Sequence, residues 1–171
     1  LYDTPSTTKQ DNEHYSFTVN LIRKQTYKIV VWADKGKYDV DNGLTSVTRT
    51  TSDVACNSDA YDAFYASVDY TQGTTASTTI TATRPFAQLN LITKDLNKNF
   101  QPGAVSVTYS SPQSFNPFDG TVYADMTEVT YKADRPYYSS TAGTEHTLVM
   151  NYPFPADSVQ TNIPSVTRPA K

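Results

Sequence analysis

Apolar and polar residues alternate along much of this chain. The clearest run is Ala87-Gln88-Leu89-Asn90-Leu91, with Ala87, Leu89 and Leu91 on one face and Gln88 and Asn90 on the other. A period of two marks a strand with one face in a core. Pro85, just ahead, fits only a strand start or an edge because it lacks an N–H for the ladder. Phe86, on the Gln88 side, can cover that end of the strand. Tyr15, Phe17, Val19 and Leu21 alternate with Ser16, Thr18 and Asn20 in the same way. Tyr27 to Ala33 instead carries apolar residues on both faces, Ile29 and Val31 against Val30 and Trp32. That pattern predicts a central strand, with a hairpin turn at Arg23-Lys24-Gln25 before it.

Further strands are predicted at Ser77 to Thr83, Val105 to Tyr109, Val122 to Met126, Val129 to Tyr131 and Leu148 to Phe154. The economical partner for residues 87–93 is the return strand 105–109, as a hairpin. Trp32, Ile29, Val31, Leu89 and Leu91 are expected to share one hydrophobic interior. The helical candidate is Asp53 to Ala66: Asp59 can cap it, Tyr61 and Tyr65 lie one turn apart, and Ala60 and Phe64 share the next stripe. Residues 1–13 read as an exposed lead-in and 155–171 as an extended tail, with Pro155, Pro164 and Pro169 in it. The expected fold is all-β: a single Greek-key β-sandwich domain over residues 1–171 with one short helix.

Composition agrees with that picture. The chain has 171 residues, enough for one domain with a real core, and Thr, Ser, Asn and thirteen Tyr dominate its polar positions. A net charge of -3 without a basic cluster argues against nucleic acid as a partner. The one cysteine, Cys56, rules out an internal disulfide and reads as a small buried hydrophobe.

Catalytic motifs do not surface. His14 and His146 lack metal-ligand neighbours at useful spacing, and there is no G-x-S-x-G elbow or glycine-rich phosphate cradle. Asp39, Asp41, Asn42 and Gly43 offer oxygens of the kind calcium takes, but without EF-hand spacing they read as a turn. The expectation is therefore a non-enzyme with no cofactor and no metal. Tyr131, Tyr137, Tyr138 and Tyr152 are candidates for an aromatic glycan platform, provided their rings are exposed.

Three stretches together resemble the fimbrillin-like, type V pilus proteins of Bacteroidota. Tyr27-Lys28-Ile29-Val30-Val31-Trp32-Ala33 is similar to that family's "Y-K-hydrophobic-W-A" strand, and Asp59 to Ala66 to its short "D-A-F-Y" segment. Arg84-Pro85-Phe86-Ala87-Gln88-Leu89-Asn90 is similar to its "R-P-F-A-Q-hydrophobic-N" strand, and the order agrees over roughly residues 15–125. The resemblance implies a transthyretin-like β-sandwich, exported as a lipoprotein precursor to the outer-membrane surface or a fimbrium. It implies a structural or adhesive role, with other pilus subunits, outer-membrane proteins, or host and glycan surfaces as partners. The alternative is a monomeric surface lipoprotein that binds glycan or serves a nutrient-uptake complex.

The resemblance does not extend to the family's lipidated N-terminus or first strand, and the residues after position 125 are expected to be fewer than a full second β-domain needs, the tail being a candidate remnant of one. A sandwich without that first strand is expected to leave a neighbouring edge and groove open to a donor strand. The tail offers spaced apolars at Val159, Ile163 and Val166, with Pro164 and Pro169 against a continuous ladder. Asp157-Ser158-Val159 also matches the short O-glycosylation acceptor used in Bacteroidota, which makes Ser158 a candidate modification site.

Overall fold

The alternation becomes a set of short strands arranged in several small sheets. The computed structural model describes residues 7–9, 11, 14–50, 53–55, 59–73, 77–94, 105–133, 145–155 and 165–167. In chain order the strands are β1 (Thr7–Lys9), β2 (Tyr15–Phe17), β3 (Thr26–Asp34), β4 (Tyr38–Val40), β5 (Val47–Arg49), β6 (Asp53–Ala55) and β7 (Ala63–Thr71). They continue as β8 (Leu89–Lys94), β9 (Val105–Pro112), β10 (Ser114–Asn116), β11 (Thr121–Val122), β12 (Met126–Ala133), β13 (Glu145–Asn151) and β14 (Ser165–Thr167). Two sheets have four strands, in the orders β11-β10-β5-β4 and β14-β9-β12-β6. The pairs β1-β2, β3-β7 and β8-β13 make three more sheets. Among the described residues all pairings are antiparallel except β6 with β12.

Several expectations change. The lead-in contributes a strand, since β1 pairs with β2, so residues 15–17 do not form a hairpin with β3. The turn at Arg23-Lys24-Gln25 does form, with Lys24 at φ 63, but it feeds β3 onto β7. β3 is not central: its nine residues pair with β7 alone among the described strands. The helical candidate divides into β6 at Asp53–Ala55, a 3-10 turn at Asp59–Tyr61 and, from Ala63, the start of β7. A helix of so few residues is marginal on its own, whereas residues from Ala63 onward gain a full ladder against β3.

The expected hairpin of 87–93 with 105–109 is also replaced. β8 pairs with β13, and β9 pairs over eight residues with β12. The β9-β12 register sets Val107 opposite Tyr131 and Tyr109 opposite Val129, and the Tyr109 and Tyr131 rings stack at 4.9 Å. Such cross-strand aromatic and β-branched pairs stabilise a sheet. Ser77 to Thr83 meets β7 at a single bridge, Tyr65 to Thr83.

Two buried clusters form the interior. One holds Tyr61, Val107, Val129, Tyr131 and Val149, with Leu91 packed against it. The other holds Tyr38, Val47, Ala63, Phe115 and Phe154, with Trp32, Tyr65 and Phe86 against it. Trp32 and Leu91 therefore serve different clusters, and Leu89 is half-buried, so the single shared interior does not hold. Pro85 is buried and Phe86 lies in the second cluster, stacked on Tyr38 at 5.9 Å and tilted on Phe154 at 4.9 Å. Arg84 fixes the start of that stretch by two bonds to the Asp62 carboxylate, at 2.8 and 2.9 Å.

Candidate functional site

Alternation along β5 puts Val47 and Arg49 on one face, and both are buried; Arg49 is 6% exposed. Its guanidinium stands where the two clusters meet. Nη1 donates to Tyr131 Oη at 3.3 Å and Nη2 donates to the Tyr152 carbonyl, while buried Nε has no partner among the described residues. The Tyr61, Phe154, Phe86 and Tyr38 rings lie 5.6, 5.7, 5.9 and 6.0 Å from Cζ. The salt bridges among the described residues do not include Arg49. Aromatic faces and two acceptors take the place of a carboxylate, since ring quadrupoles attract a desolvated cation.

The surrounding phenols feel this burial. Tyr38 donates to the Tyr61 carbonyl at 2.8 Å, and burial pushes its hydroxyl up to about 12, with Arg49 pulling partly the other way. Tyr152 is also raised, first by burial and then by its hydrogen bond to Asp59 Oδ1 at 3.1 Å. Sequence reasoning missed Arg49, because residues 47–49 were not read as a strand and a lone arginine ordinarily meets solvent. Its one local signal was that it shares a face with Val47.

Two of the four rings of the candidate glycan platform are buried. Tyr131 is 0% exposed and Tyr152 8%, so neither ring offers a face to a sugar. The Tyr131 hydroxyl accepts from Arg49, and the Tyr152 hydroxyl donates to Asp59 Oδ1 at 3.1 Å. Tyr137 and Tyr138 lie outside the described residues, as do Cys56, Ser158, Val159 and Ile163.

Asp41 forms the expected turn. Its Oδ1 accepts from the Thr45 and Ser46 amides at 2.8 Å each, and its Oδ2 from the Thr45 hydroxyl at 2.7 Å. The Ser46 amide is the main cause holding that carboxyl below the usual carboxylate range. Asp39 is exposed on β4. Among the described residues no three His, Cys, Asp or Glu side chains gather in a way that would hold a metal.

Two sheet edges bear on pairing with another strand. On the first, β14 lies antiparallel along β9, opposite the edge that β12 occupies, with Val166 at the register position of buried Val107. β14 matches three of the eight residues of β9. The second is the outer edge of β7. There a cleft of about 320 Å³ opens between Tyr65–Val68, Thr81, Thr83 and the Phe118-Asp119 turn, with Lys28 at its rim. Ser67 Oγ donates to the Phe118 carbonyl at 2.6 Å, and Lys28 Nζ lies 5.2 Å from the Phe118 ring centroid. Gly120, at φ +76, closes this turn; a Cβ there would come 3.1 Å from Tyr65 Oη.

These features define a mostly β-strand protein of small sheets, with two aromatic-rich clusters joined by a buried arginine. The chain belongs to a family described as a family of unknown function, DUF6562, which matches residues 3–167. It matches no curated protein and no solved structure.

Proposed function

We propose that this chain is a non-catalytic surface component of the fimbrillin-like kind, a pilus subunit or accessory part that assembles by exchange of β-strands. In this reading the small sheets are portions of a Greek-key, transthyretin-like sandwich, exported to the outer-membrane surface or a fimbrium. Its partners are other subunits or outer-membrane proteins.

The observation that carries the reading is the tail strand. The chain leaves its interior at Phe154, which is 1% exposed, and β14 lies on an edge of β9 after residues 155–164. Ten residues extended reach about 33–36 Å, far enough to deliver β14 to the β9 of a neighbouring copy. The bonds made there would be those made at home, so exchange needs no new interface. A head-to-tail exchange does not close on itself and builds a filament.

The test is to delete residues 157–171 and compare the two proteins by gel filtration and electron microscopy. The full-length protein is expected to form polymers and the deletion to remain monomeric. Equal polymerisation of both would show that the tail is not the donor, and a full-length protein that stays monomeric under all conditions would refute assembly by exchange.

A further inference from the structure

The cleft beside β7 lies where a strand peels away after one bridge. Tyr65 and Thr83 exchange two backbone bonds, each 2.9 Å, so Tyr65 turns its N–H and C=O away from β3. Alternate residues of a strand do the same. The backbone groups of Ser67 and Asp69 therefore point to the open edge, where they have no ladder partner among the described residues.

Extending the register of that bridge along the chain gives a consistent match. Ala82 would lie beside Ala66 and Ile80 beside Val68, while Thr81 would face Ser67 and Thr79 would face Asp69. Ile80 and Ala82 meet apolar residues of β7, Ser77, Thr79 and Thr81 meet polar ones, and Thr78 and Thr83 meet Tyr70 and Tyr65. Ile80 and Ala82 are already half-buried, and Thr79, Thr81 and Thr83 are exposed. A slip of one residue would reverse every pair, because side chains alternate with period two. The ladder would run to Ser77 opposite Thr71, leaving residues 72–76 as the connection, a five-residue length common in hairpins.

From this we infer that Ser77–Thr83 is a displaceable strand belonging to β7, and that the cleft is the space it vacates on opening. Closed, the segment caps the β7 edge against a strand from another chain; open, as here, it leaves Ser67 and Asp69 free to accept one. The inference stands apart from the proposed assembly, since it is read on the isolated protein.

The test is cross-linking in a Cys56→Ser background. Val68→Cys with Ile80→Cys, and separately Ala66→Cys with Ala82→Cys, put thiols at non-hydrogen-bonded pairs, where Cα atoms approach to about 4.5 Å. Val68→Cys with Thr81→Cys is the control, one residue out of register. Both in-register pairs are expected to form intrachain disulfides under mild oxidation, and the control is not. Oxidation should also slow amide exchange at Ser67 and Asp69 by about tenfold or more. The Val68 pair is half-exposed, so it keeps the test valid if substitution at buried Ala66 prevents folding. The inference is overturned if the Val68–Ile80 pair stays reduced in a folded protein. It is also overturned if the control forms as readily, or if exchange at Ser67 and Asp69 does not change on cross-linking.

Discussion

Replacing Arg49 by lysine should destabilise this protein more than replacing it by methionine. Burying an ion costs several kcal/mol even after the protein relaxes. Arg49 offsets that with its two hydrogen bonds, each worth about 1.5–3 kcal/mol for a charged donor, and with the rings within 6.0 Å of Cζ. Arg49→Met removes the buried charge and leaves chiefly the Tyr152 carbonyl without its donor, a cost of about 1–3 kcal/mol. Arg49→Lys keeps the charge but loses the planar fork that reaches both acceptors. The lysine must then stay charged with fewer partners or fold neutral, and either course costs about 3–5 kcal/mol. Urea unfolding at neutral pH, followed by the fluorescence of Trp32, gives the ranking; Trp32 packs edge-on to Tyr38 at 5.4 Å and reports this region.

Raising the pH supplies a second, independent readout. A lysine that folds neutral has a depressed folded pKa, so the unfolded chain binds more protons and stability climbs with pH, by up to about 1.4 kcal/mol per unit. Between about pH 7 and 9 the lysine variant should recover stability, while the methionine variant and the parent should not. If Arg49→Lys proves as stable as the parent, or Arg49→Met is the weaker of the two, the account of a charge held by fork and rings is wrong.

The interior gives two further expected outcomes. Phe115→Ala should cost about 3–5 kcal/mol in the same urea assay, because Phe115 is 2% exposed and touches the rings of Trp32, Tyr65 and Phe154. Leu89→Ala, at a half-buried position, should cost no more than about 2 kcal/mol; a larger loss there than at Phe115 would invert the assignment of the core. Tyr38, raised to about 12, binds its proton more tightly folded than unfolded. Its contribution to stability is complete below about pH 10 and is lost as pH rises through about 12, some 2–3 kcal/mol in all. Alkaline unfolding should be correspondingly less steep in Tyr38→Phe, and an unchanged slope would show that the phenol is not held as described.

Many strands were legible in the sequence, because the period of two is a property of the local chain, although the alternation at residues 15–21 gave only the short, exposed β2. Leu89 to Lys94 and Val105 to Pro112 stand where alternation or β-branched runs put them, whereas the separate strands expected at Val122 to Met126 and Val129 to Tyr131 are replaced by Thr121–Val122 and a continuous Met126–Ala133. The Asp41 turn was legible for the same reason: a carboxylate bonding to amides four and five residues on is a short-range event. Pairing was not legible. Nothing in residues 87–93 distinguishes β13 from β9 as a partner, since that choice depends on which faces Val149 and Leu91 can bury together. Tyr131 and Tyr152 read equally well as exposed or buried rings, and packing with residues far away in the chain decided between the two. Whether Arg49 itself met solvent or the interior was likewise fixed only when two clusters closed around it. Local alternation sets the conformation of each segment, while partner, depth and charge environment depend on contacts between segments far apart in the chain.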